Sequence, residues 1–95
     1  MSLQASGYIA WGDIDSFGVV LNRDVEYTIH VDPDDASVDF DLFIYDENDK
    51  LIAYDEAKDP DAHASVTPDW TGPFKLYVKA ASGGGGYTIT VLDES

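Results

Sequence analysis

The chain is 95 residues long, enough for one domain but not for two. A net charge of −14, from 19 acids against 5 bases, leaves too few Lys and Arg to neutralise phosphates, so neither nucleic acid nor an anionic membrane surface is an expected partner. Hydrophobic residues make up 44%, which sets the chain apart from a disordered acidic tail, and the lack of Cys removes disulfides and thiolate metal sites. No stretch approaches the ~20 apolar residues of a membrane-spanning helix, and no signal peptide is visible at the N-terminus. Residues 1–6 are expected to be a disordered leader to a single domain covering the chain.

Alternation with a period of two dominates the rest, and it places apolar and polar side chains on opposite faces of a strand. Gly7 to Trp11 reads as a short first strand, broken by the turn chemistry of Gly12-Asp13-Ile14-Asp15. Phe17, Val19 and Leu21 alternate with smaller residues in a second. Val25, Tyr27, Ile29 and Val31 alternate with Glu26, Thr28 and His30 in a third. Pro33 forbids a continued ladder, so residues 32–37 read as a loop. Asp39 to Asp46 puts Phe40, Leu42 and Ile44 on one face and Asp39, Asp41, Phe43 and Tyr45 on the other. Residues 47–50 form a hairpin turn into a strand from Leu51 to Tyr54. Residues 55–61 read as an acidic loop with room for one helical turn, and Ala62 to Thr67 as a weak strand.

The C-terminal stretch is the clearest. Phe74, Leu76, Val78 and Ala80 alternate with Lys75, Tyr77 and Lys79; Tyr87, Ile89 and Val91 alternate with Thr88 and Thr90. The glycines at 83–86 between them predict a hairpin loop. About eight short strands with regular turns specify an all-β protein, an antiparallel, jelly-roll-like β-sandwich.

Three segments resemble the bacterial pre-peptidase C-terminal domain family. Gly12-Asp-Ile-Asp-Ser-Phe17 is similar to its G-x-x-D-x-[FYW] strand start, with residues 25–29 as the paired strand. Asp39-Phe-Asp-Leu-Phe-Ile-Tyr-Asp46 is similar to D-x-D-L-x-[LI]-Y-D. Residues 71–78 and 86–91 are similar to its closing strand pair. The resemblance implies a β-sandwich that accompanies a secreted enzyme or cell-surface protein without catalysing its reaction. Related collagen-binding domains of bacterial collagenases use calcium, with ligands from a longer acidic N-terminal segment and from acids at the position of Asp13 and Asp15. Here only six residues precede Gly7 and none is acidic, and Lys79 and Ala81 stand where collagen-contacting aromatics would be, so collagen binding does not carry over.

Calcium takes six to eight oxygen ligands, and Asp13, Asp15, Asp39 and Asp41 are the candidates. A solvated acidic coat accounts equally for the pair Asp13 and Asp15, and somewhat better for the others. Asp41 could instead tie down loop amides. His30 and His63 form no short-range pair, so zinc is not expected. Ser16, Ser37, Ser65 and Ser82 lie in no nucleophile-elbow context. Among the aromatics, Trp11 and Trp70 are expected to close the sandwich, whereas Phe43, Tyr45 and Tyr77 point away from the core and could bind a polypeptide or glycan.

The sequence therefore favours a secreted or cell-surface accessory module over a lectin-like domain using surface aromatics, and either over a small hydrolase with paired carboxylates. A coplanar aromatic strip would mark the lectin; two carboxylates facing into one concavity would mark the hydrolase.

Overall fold

A computed structural model describes residues 2–35, 37–56 and 61–93. They form eight strands: β1 (Ser2–Ile9), β2 (Ile14–Leu21), β3 (Tyr27–Pro33), β4 (Asp39–Tyr45), β5 (Leu51–Asp55), β6 (Ala62–Val66), β7 (Gly72–Ser82) and β8 (Gly85–Asp93). The first strand pairs with the last, the second with the seventh, the third with the sixth and the fourth with the fifth, all antiparallel. Further β3–β8 and β4–β7 pairing wraps this doubled chain into two four-stranded sheets, β1-β8-β3-β6 and β2-β7-β4-β5. That is jelly-roll topology.

The alternating residues make the core. Tyr27, Ile29, Val31, Tyr87, Ile89 and Val91 line the inner face of one sheet; Phe40, Leu42, Ile44, Phe74, Leu76, Val78 and Ala80 line the other. Each large side chain buried this way contributes about 1.5–3 kcal/mol of transfer free energy, which is what holds two sheets of ordinary strand propensity face to face.

Three expectations change. β7 and β8 do not form a hairpin; they belong to different sheets. Alternation fixes which face a residue takes, but says nothing about which strand lies beside it. Gly83 and Gly84 carry the chain across the sandwich: three Cα steps reach at most about 11 Å, just enough for layers about 10 Å apart. A Cβ on Gly84 would stand 2.8 Å from both the Ile9 carbonyl oxygen and the Trp11 nitrogen, so the crossing packs directly on the β1–β2 connection. For the same topological reason residues 25–29 do not pair with β2. Residues 2–6, expected as a leader, are the first part of β1 and pair with β8 from Ser2↔Leu92 onward; backbone pairing there needs no apolar pattern. The loop expected at 55–61 falls largely on residues 57–60, outside the described residues; Asp55 itself ends β5.

Trp11 also departs from expectation. It is 71% exposed at the tip of the β1–β2 connection, held by an Nε1–H donated to the Ala81 carbonyl at 3.2 Å. Trp70 does close the sandwich, half-buried and stacked on Phe74 with ring centres 5.9 Å apart.

Candidate functional site: the outer face of the β2-β7-β4-β5 sheet

Cross-strand register builds the outer face in rows. Ile14, Lys79 and Asp41 stand side by side on β2, β7 and β4. The next row is Ser16, Tyr77, Phe43 and Tyr54, and the one after it Gly18, Lys75, Tyr45 and Leu51. The small residues Ser16 and Gly18 leave the β2 side low, and taller neighbours surround it. The result is an open hollow of about 580 Å³ lined by Ile14, Phe43, Tyr45, Tyr77, Lys75, Lys79 and Asp49.

The face is apolar but not stacked. Tyr45 and Tyr77 meet edge to face, ring centres 5.2 Å apart and planes at 89°. Ile14, Val20, Leu51 and Tyr54 on this sheet are exposed. Lys75 donates from Nζ to Asp49 Oδ1 at 2.9 Å, and this hydrogen bond, with the carboxylate's charge, raises the Lys75 pKa. The one carboxylate lining the hollow is thus tied to a lysine. Asp49 itself sits at φ 62° in the β4–β5 turn, a backbone conformation that Asp tolerates better than most residues.

The structure brings Phe43, Tyr45 and Tyr77 together. Tyr54, another of the chain's surplus aromatics, joins them, but sequence reasoning missed their companions Ile14, Lys75 and Lys79, which join the face only through register. A period of two would have marked each as outward-facing, but not as neighbours.

The four acids considered for calcium do not converge. β7 runs between β2 and β4, and the two pairs lie on either side of it. Asp13 is exposed in the turn before β2, where its carbonyl accepts the Ala80 N–H at 3.1 Å. Asp15 points inward, opposite buried Val78, and its Oδ2 accepts the Tyr87 hydroxyl at 2.7 Å. Burial, then that hydrogen bond and the Asp15 charge, push the Tyr87 pKa well above its ordinary value.

Asp41 points outward yet is only 7% exposed. Its pKa is raised, first by burial and then by the charges of Asp39, Glu56 and Asp55, with Lys79 opposing them. The Oδ1 atoms of both Asp39 and Asp41 are buried without a hydrogen-bond partner among the described residues.

The amide-tying role considered for Asp41 belongs to Asp46, whose Oδ1 accepts the N–H groups of Asn48 at 2.8 Å and Lys50 at 3.0 Å. Asp35 Oδ1 likewise accepts the Ser37 N–H at 2.9 Å, and this bond leads in lowering its pKa. Among the described residues no three His, Asp or Glu side chains gather closely enough to hold a metal ion.

No protein-family model matches this sequence, and no curated protein does. Solved structures do. The chain is similar to the pre-peptidase C-terminal domain of a collagenase from Bacillus anthracis, with a TM-score of 0.80 and 21% identity over 97% of this chain and 90% of that one. It is also similar to a periplasmic inhibitor of g-type lysozyme from Aeromonas hydrophila, with a TM-score of 0.69 and 12% identity over 98% and 86%. A part of a family GH115 4-O-methyl-alpha-glucuronidase with specificity for decorated arabinogalactans, 14% of that chain, matches 95% of this one at a TM-score of 0.55 and 17% identity. The chain has the β-sandwich fold of a pre-peptidase C-terminal domain.

Proposed function

We propose that this chain is a non-catalytic accessory module of a larger exported protein, and that it binds polypeptide on the outer face of the β2-β7-β4-β5 sheet. The observation carrying this reading is the hollow of Ile14, Phe43, Tyr45 and Tyr77 on a sheet face that also exposes Val20, Leu51 and Tyr54. Exposed apolar groups gathered on one face mark an interaction surface. Polypeptide is favoured over glycan because the two central tyrosines stand at 89°, whereas a sugar-stacking platform needs coplanar rings, and because aliphatic side chains share the face. The fold shared with a collagenase's pre-peptidase C-terminal domain supports the accessory role and an extracellular setting.

Calcium has a place in the same reading at Asp39 and Asp41, whose buried, unpartnered oxygens could receive a cation. The set is short of the six to eight oxygens calcium takes, and backbone carbonyls or water would have to supply the rest. A melt in EDTA, with calcium titrated against magnesium, tests this. A saturable rise with calcium alone supports it, and equal, unsaturating rises reduce it to screening.

The binding face is tested by retention on immobilised gelatin, as an extended polypeptide, and on arabinogalactan. Gelatin is expected to retain the protein, with Phe43→Ala and Tyr77→Ala each weakening retention about tenfold. Retention on arabinogalactan alone, or equal retention of wild type and both variants on gelatin, would overturn the reading.

A further inference from the structure

The opposite outer face carries a second pairing that local sequence spacing does not reveal. His30 on β3 and His63 on β6 are the chain's only histidines, and the antiparallel register sets them directly opposite each other. Their ring centres are 5.7 Å apart with planes at 75°, and both side chains are exposed to solution. Two imidazoles on one zinc ion, with bonds of about 2.0–2.1 Å and a tetrahedral angle, hold their ring centres roughly 5 Å apart. The observed separation of 5.7 Å is close to that value.

The surroundings suit a cation. Asp55 on β5 accepts the His63 backbone N–H at 2.9 Å, and its Oδ2 lies 3.9 Å from His63 Nδ1. A carboxylate this near adds negative charge beside the pair. Asp32, two residues along β3 from His30, takes the same face. Thr90, the β8 partner of His30, is neutral, as is the Thr28–Ser65 hydroxyl pair two residues along, oxygens 3.4 Å apart.

We propose that His30 and His63 together bind a divalent transition-metal ion of the zinc, nickel and copper group, with water filling the remaining positions. Imidazole selects these ions over calcium and magnesium, which prefer oxygen. Because β6 is an edge strand, the ion would pin it to β3. The site stands apart from the aromatic face and does not rest on the polypeptide-binding reading.

Isothermal titration of chelator-treated protein with zinc chloride at neutral pH tests it. One ion per chain is expected, with His30→Ala and His63→Ala each lowering affinity at least about tenfold. Binding should survive a large excess of calcium, which prefers oxygen ligands. With copper as probe, electron paramagnetic resonance should show two nitrogen ligands in the wild type and one in either variant; circular dichroism checks that both variants are folded. Zinc binding unchanged in both variants would assign the ion to carboxylates and overturn the proposal, as would no binding up to about 1 mM zinc.

Discussion

Asp15 and Asp41 lie on strands of the same sheet with only β7 between them, and they meet opposite fates. Asp15 turns inward toward the other sheet and has a partner, the Tyr87 hydroxyl. That tyrosine packs edge-on against Phe17 and Phe40, so one ring both fills the core and satisfies a carboxylate at its margin. Asp41 turns outward and is nevertheless more deeply buried, enclosed by its neighbours with an oxygen that nothing in the described structure satisfies. Facing out of a sheet is therefore no guarantee of hydration. A charge is comfortable where a donor meets it, and costly where neighbours merely cover it.

The sharpest way to break this contrast is at Gly7. A Cβ there would stand 2.7 Å from Tyr87 Oη and 2.8 Å from Cζ, forcing the ring off Asp15. Gly7→Ala should cost about 3 kcal/mol in urea unfolding, through overpacking and the lost hydrogen bond. Gly18→Ala, where no atom lies within 4 Å, is the matched control and should barely move the midpoint.

Tyr87→Phe removes only the hydroxyl and should cost about 2 kcal/mol, the range for hydrogen bonds to charged groups. Its pH dependence has a definite sign. The folded state holds the Tyr87 proton more tightly than the unfolded chain does, so that stabilisation is complete below about pH 10 and is lost as pH rises beyond it. Alkaline melts should fall more steeply for wild type than for Tyr87→Phe.

Asp41 predicts the opposite sign. Its raised pKa means that folding favours the neutral carboxyl, so this contribution is present below about pH 4 and lost as pH rises through the folded-state pKa. Asp41→Asn should thus raise Tm at neutral pH by a few degrees, about 0.5 kcal/mol for a domain of this size, and the gain should vanish in acid. A loss of stability at neutral pH would show that Asp41 is paired in solution. The smallest effect is expected at exposed Asp13: its hydrogen bonds are made by its backbone, the N–H donating to the Ala10 carbonyl and the carbonyl accepting the Ala80 N–H, so Asp13→Asn should melt with wild type.

How far the sequence could be read follows from what alternation encodes. The inner faces of β3, β4, β7 and β8 are legible because Val31, Leu42, Val78 and Ile89 each sit at the period of a half-buried strand. Phe43, Tyr45 and Tyr77 are legible as outward-facing by the same rule. Partnership is not. Nothing near Lys79 announces Asp41, and nothing near His30 announces His63, because register across β4–β7 and β3–β6 is settled by the wrapping of the whole chain. The glycines at 83–86 mislead for a related reason. They permit a reversal within a sheet and a crossing between sheets equally well, and the contact of Gly84 with the β1–β2 connection decides between them. Acids at 13, 15, 39 and 41 look alike in sequence and differ only once face and cover are known.

The position of β8 has a consequence for how the protein is made. This strand lies between β1 and β3, so it is central to its sheet although it is the last strand synthesised. Until residues 85–93 emerge, β1 lacks the strand it pairs with, and β3 lacks one of its two neighbours. The apolar inner faces of both must wait in a nascent chain for a partner nearly a full chain length away. Folding of this domain should therefore wait until β8 has emerged. It should also run at the slow, millisecond-to-second end expected of non-local β topologies, leaving the acidic coat to keep the waiting strands apart.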